Sequence, residues 1–170
     1  MVQSFDVTCE KSRDAGHEAY MAMALREARK AARIGEIPIG AVIVKGGEVL
    51  GRGYNRNESG KDPTLHAEMI AIRRAAKKLG AWRLIGCTMY VTVEPCAMCA
   101  GAAVLARLDA IIVGAESDKS GACGSVADIL MSGDLNHRVE YRVGVLGPEC
   151  AALLSGFFRE LRAKRDGAEG

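Results

Sequence analysis

Pro95-Cys96-Ala97-Met98-Cys99 sets two thiols one helical turn apart, directly after an apolar, β-branched stretch. Thiolates bind zinc, and a helix N-terminus stabilises them because its free amides and dipole favour negative charge. Thirty residues earlier, His66-Ala67-Glu68 also stands at a helix start, behind a loop. One imidazole and two thiolates make three protein ligands, which leave a tetrahedral zinc its fourth position for water. That is the ligand count of a catalytic site. Glu68 lies too close to His66 to be a comfortable ligand, yet can reach a water held there and carry its proton. A Cys-x-x-Cys at a helix start also suits a thioredoxin-like redox pair, but that reading gives His66 and Glu68 no task.

The elements that must position these residues follow from periodicity. Met21, Ala24, Leu25, Ala28 and Ala32 recur at helical spacing and predict a helix over His17–Ile34, stopped by Gly35. Ile39–Val44 reads as a strand, Lys45-Gly46-Gly47-Glu48 as a hairpin turn and Val49–Tyr54 as the returning strand. Asn55–Leu65 is a loop by composition. A helix is expected from near His66 to Leu79, a strand over Thr88–Val93, and a helix from Pro95 through about Leu108. Further on come a strand over Asp109–Gly114, a short helix over Val126–Met131, a strand over Val139–Leu146 and a last helix from Pro148 to about Lys164. Helices alternating with strands after an initial hairpin predict one α/β domain, a mixed sheet covered on both faces.

The chain has 170 residues, enough for one ordinary core, and 49% of them are hydrophobic. Lys and Arg number 23 against 21 Asp and Glu, so a nucleic-acid partner would have to be drawn by a local patch. Arg26, Arg29, Lys30 and Arg33 on the first helix, and Arg159, Arg162, Lys164 and Arg165 on the last, are such patches or simply solvated faces. Residues 1–16 read as an N-terminal extension, expected to be flexible, that is neither a secretory signal nor an anchor. Residues 17–165 form the domain, and 166–170 read as a polar tail. The uncharged run Leu84–Val93 is far below the roughly 18–20 residues of a spanning helix. A cytoplasmic protein without a membrane partner is the expectation, and in that compartment Cys9, Cys87, Cys123 and Cys150 are free thiols, each a small buried hydrophobe.

His-x-Glu followed by Pro-Cys-x-x-Cys is the pattern of zinc nucleobase deaminases. From about Met21 to Arg165 the chain resembles the bacterial tRNA-specific adenosine deaminases. The stretches that carry the likeness are Asp62-Pro63-Thr64, Val91-Thr92-Val93-Glu94-Pro95-Cys96, Met98-Cys99-Ala100-Gly101, Asn136-His137-Arg138-Val139-Glu140, Cys150-Ala151-Ala152-Leu153-Leu154-Ser155 and Phe157-Phe158-Arg159. The first of these are shared with guanine and cytosine deaminases. The later ones are more particular to the tRNA enzymes.

The resemblance implies a three-layer α/β/α fold with a mixed five-stranded sheet, of the cytidine deaminase type. It implies one Zn2+ per subunit on His66, Cys96 and Cys99, a zinc-bound hydroxide as nucleophile, and Glu68 as proton shuttle. It implies a homodimer built through the helix Ala97–Leu108, which is otherwise expected to be core, buried nearly all round. The implied substrate is the wobble adenosine of a tRNA anticodon stem-loop, contacted by Asn55, Ala67, Phe157, Phe158 and Arg159. Only one of Phe157 and Phe158 can border the pocket, since helical neighbours point about 100° apart. Many members carry Asp where this chain has Ser117, followed here by Asp118. Deamination of a free base is the rival reaction. A non-catalytic zinc RNA-binding subunit is the rival class, and its natural mark, loss of the glutamate, is absent.

Overall fold

A computed structural model describes residues 7–166 of the chain. Residues 1–6 of the expected extension, and 167–170 of the expected tail, lie outside the described residues. Five strands alternate with helices: α1 (Val7–Arg33), β1 (Gly40–Lys45), β2 (Glu48–Tyr54), α2 (Asn57–Gly60), α3 (Ala67–Leu79), β3 (Thr88–Val93), α4 (Ala97–Leu105), β4 (Ala110–Ala115), β5 (Glu140–Val143) and α5 (Gly147–Asp166). The sheet order is β2-β1-β3-β4-β5. β1 runs antiparallel to both β2 and β3, while β3, β4 and β5 are parallel. The sheet is mixed, as expected.

Side-chain alternation divides the strands between two faces. Ala41, Ile43, Met89, Val91, Ile111 and Val113 pack under α3 and α4. Their neighbours Val42, Val44, Tyr90 and Ile112 pack under Met21, Ala24 and Leu25 of α1 and Cys150 of α5. Two apolar layers therefore hold three layers of structure. Cys87, Cys123 and Cys150 are free and buried, and burial pushes Cys123 and Cys150 up to about 12.

The β1–β2 hairpin turns through Gly46 (φ 54°) and Gly47 (φ 85°), with Lys45 paired to Glu48. Two consecutive positive φ values match the right-handed strand twist and favour glycine at both places. β2 then lies directly against α3. A Cβ added at Gly53 would overlap the carbonyl of Ala67, and one at Gly51 the carbonyl of Ala71. This close approach seats the first turn of α3 on the sheet.

Some boundaries differ from those read in the sequence. α1 begins at Val7, ten residues before the predicted start. α4 ends at Leu105, because Arg107 adopts a left-handed conformation (φ 59°) that a helix cannot continue through. The predicted helix over Val126–Met131 is absent. That segment holds turns and one isolated bridge, Cys123 to Asp128. Its amides are drawn elsewhere: Val126 and Ala127 both donate to the carbonyl of Gly121, and Gly124 donates to that of Ala127. α4 is also not buried all round. Cys99, Ala100, Ala103 and Val104 face the core, while Ala97 and Leu105 are exposed and Met98, Gly101 and Ala102 are half-covered.

The packing at Gly53 is testable. Gly53→Ala must displace the first turn of α3, and overpacking of this kind costs about 1–3 kcal/mol. In a chain of this size that lowers Tm by roughly 2–10 °C, and metal content should fall with it because His66 adjoins Ala67. An unchanged Tm and metal content would show that α3 tolerates displacement.

Candidate active site

His66 and Cys96 occupy equivalent places, the N-caps of α3 and α4. Both have extended backbones (φ −69°, ψ 151° and φ −75°, ψ 172°), and neither side chain caps its helix. N-cap side chains ordinarily accept a bond from the first-turn amides. Here another residue takes that role at α3: the Asn55 Oδ1, buried at the end of β2, accepts from the Ala67 amide at 2.9 Å. The imidazole is thereby left to turn toward the thiols. His66 Nδ1 lies 3.7 Å from Cys96 Sγ and 3.6 Å from Cys99 Sγ.

These spacings fit zinc. Metal–nitrogen and metal–sulfur bonds of about 2.0 and 2.3 Å, opened to a tetrahedral angle, give a nitrogen-to-sulfur edge of about 3.6 Å. All three ligand atoms lie within 4.8 Å of one another, and among the described residues this is the one group of three or more such donors. Electrostatics are consistent with a shared anionic site. Hydrogen bonding from Cys99 and His66 holds the Cys96 thiol down at about 3, and the same Cys96 contact raises His66. Cys99 is pushed up by its bond to Cys96 and by burial.

Glu68 sits in the first turn of α3, only 3% exposed. Burial raises its pKa, against the lowering effects of the helix backbone and His66. Its Oε2 has no hydrogen-bond partner, one of two such buried side-chain oxygens among the described residues. An acid–base group with an uncommitted oxygen beside a metal-ligand cluster can accept and return a proton.

The other expected site residues are placed less uniformly. Ala67 is buried directly between His66 and Glu68. Phe157 turns into a groove between α1 and α5, lined also by Ala32, Arg33, Leu153, Leu161 and Lys164. Phe158 meets Phe157 edge-on, with ring centroids 5.7 Å apart, and Arg159 is exposed. That groove is a different place from the ligand cluster. Ser117 donates its amide to Glu94 and sets its hydroxyl 3.2 Å from that of Ser120. Asp118 lines a separate polar cavity with Glu116, Ser125 and Tyr141.

Sequence reasoning missed what braces the site. Buried Glu36 accepts from the amides of Glu58 and Ser59 and so fixes α2, in the loop that leads to His66. Asn136 accepts from the Arg107 guanidinium at 2.7 Å, and His137 Nε2 donates to the Leu108 carbonyl at 2.7 Å. The Asn-His-Arg-Val-Glu stretch thus fastens the link from α4 to β4. Glu36 and Glu94 looked like ordinary charged residues in the sequence. An acidic residue inside an apolar run, as in Val91-Thr92-Val93-Glu94-Pro95, was the available signal.

A mixed sheet with a His/Cys/Cys cluster at the N-termini of two helices on one face defines a deaminase of the cytidine deaminase-like class. Comparison with known proteins agrees. The family model for MafB19-like deaminases matches residues 15–162. The tRNA-specific adenosine deaminase of Bacillus subtilis (strain 168) is 48% identical over 151 residues, 89% of this chain and 94% of that one. A chain solved in a study of A-to-I editing by tRNA:A34 deaminases at the wobble position superposes with a TM-score of 0.77 at 40% identity, covering 80% of this chain and 99% of its own. Guanine deaminase from Bacillus subtilis is 44% identical over a shorter match, 59% of this chain and 64% of that one, with a TM-score of 0.56. The chain belongs to the family of tRNA-specific adenosine deaminases.

The ligand cluster predicts the consequence of breaking it. Cys96→Ala or Cys99→Ala should lower bound zinc from one per chain to a small fraction, with activity falling in proportion, as read by elemental analysis beside a rate assay. Chelated, metal-free protein that kept full activity would contradict the ligand assignment.

Proposed function

We propose that this protein hydrolytically deaminates adenosine to inosine at the wobble position of tRNA anticodon loops, with Glu68 carrying the protons. The observation that carries the mechanism is the buried Glu68 Oε2, without a partner among the described residues and two residues along the chain from His66 of the cluster His66, Cys96 and Cys99. His66, Cys96 and Cys99 would hold one zinc ion per chain, which when bound would supply the Lewis acidity that lowers the pKa of water. The overall change adds water at C6 of adenine and releases ammonia. Glu68 takes one proton from that water and places it on N1, then takes the second from the hydroxyl left on C6 and delivers it to the departing nitrogen, which leaves as ammonia. Its raised pKa suits it to hold a proton between these transfers.

Asn55 has committed its Oδ1 to Ala67, so the amide NH2 is its group for the target nucleotide. Ala67 walls the site between His66 and Glu68. Of the two aromatics, Phe158 is the one for the nucleotide, because Phe157 is engaged against α1. Arg159, Arg162 and Arg165 are exposed on α5, and Arg33 and Lys164 both line the groove between α1 and α5. The two basic helix ends thus adjoin, as a surface for RNA phosphates requires. The anticodon loop presents its adenosine already unpaired, which removes most of the cost of flipping.

The domain of residues 17–165 works as a homodimer. The uncovered stripe of α4, ending in Leu105 at 68% exposure, is apolar and uncharged, and Trp82 and Ile85 are exposed as well. Such a patch calls for a covering partner. No helix among the described residues is long and apolar enough to cross a membrane, and a tRNA substrate places the enzyme in the cytoplasm.

Glu68→Gln keeps the shape and removes the proton carrier. Zinc content and RNA affinity should stay within error of wild type, while single-turnover inosine formation falls by about 10²–10⁴-fold or more. A rate within a few-fold of wild type would assign the proton transfers to another group.

A further inference from the structure

Two residues before Cys96, Glu94 ends β3 as a carboxylate only 4% exposed. None of the ion pairs among the described residues includes it. Instead it is surrounded by donors from a single loop: the amides of Ser117 (3.0 Å), Cys123 (2.9 Å) and Ser125 (3.2 Å), and the Ser125 hydroxyl. Gly121 lies against it so closely that a Cβ there would overlap the carboxylate. The loop gives three amides and the Ser125 hydroxyl to Glu94, while Asp118, Lys119, Ser120 and Gly124–Asp128 are exposed. Only Ala122 and Cys123 at its middle reach the apolar core.

This loop borders the ligand cluster. The Ala122 amide donates to the Pro95 carbonyl at 2.9 Å, one residue from Cys96. An exposed loop beside a reaction centre, held by a buried charge, is a prearranged contact surface.

We propose that Glu94 is a positioning residue for the RNA substrate, holding residues 117–125 in the shape that receives the nucleotides around the target. The proposal rests on the RNA reading above. Glu94 then governs capture of the RNA and leaves proton transfer to Glu68.

Glu94→Gln is the direct test. Both carboxylate oxygens face donors, so the amide nitrogen must oppose N–H or O–H groups whichever way it is turned. On an anticodon stem-loop, KM should rise by about 10-fold while the saturated rate stays within about 3-fold and zinc stays at one per chain. Hydrogen exchange should quicken at the amides of Ser117, Cys123 and Ser125 and nowhere in α3 or α4. Ser125→Ala, a milder change, should raise KM by about 3-fold with the same split. A loop that loosens while KM stays at the wild-type value would overturn the proposal. So would loss of zinc and saturated rate in step with KM in both variants, which is the behaviour of a merely structural residue. Wild-type protein that forms no inosine in the RNA would instead remove the substrate reading, and this proposal with it.

Discussion

The structure depends on one constraint: two helices must begin at the same edge of the sheet with their N-cap side chains turned toward each other. His66 opens α3 and Cys96 opens α4, and neither spends its side chain on its own helix. The arrangement puts both positive helix ends at one point, where thiolates and a developing negative charge are stabilised. Everything around it keeps those starts in place. Gly51 and Gly53 let α3 settle onto β2, Asn55 satisfies the amide that His66 leaves unsatisfied, and the Asn136–Arg107 bond secures the exit of α4.

Three buried carboxylates show how the same side chain is put to different uses. Burial alone raises the pKa of all three. For Glu36 and Glu94, hydrogen bonds from loop amides and hydroxyls outweigh burial and hold the groups below the usual carboxylate range. Those two are charged anchors, one for each loop beside the ligands. Glu68 receives no comparable set of donors and stays raised, with one oxygen free of partners. Satisfied charge fixes structure, and the one group of the three without such a set of donors is the one proposed to move protons.

Much of this was legible in the sequence because it is local. The Gly46-Gly47 turn, β3 over Thr88–Val93 and the end of α3 at Leu79 are each written in a few adjacent residues, as are the two short motifs that bring His66 together with Cys96 and Cys99. The features that escaped are long-range. The Val126–Met131 segment has helical composition, but its preceding loop is wound around Glu94, some thirty residues away in sequence. Composition made α4 look buried on every side, whereas Ala97 and Leu105 are exposed, and which side of a helix meets the sheet is decided by packing and not by composition. Phe157 and Phe158 are adjacent in the sequence, and only the seating of α5 against α1 decides which of them is already engaged.

The family membership, the ligand cluster and the basic helix ends converge on a polymer substrate and not a free base. The most direct measurement is nucleoside analysis by mass spectrometry after incubating the zinc-loaded protein with a synthetic anticodon stem-loop bearing adenosine at the wobble position. Parallel incubations would contain free adenosine, guanine or cytidine. The account requires stoichiometric inosine at that one position and negligible conversion of the three small molecules. Efficient turnover of guanine with no inosine in the stem-loop would contradict it.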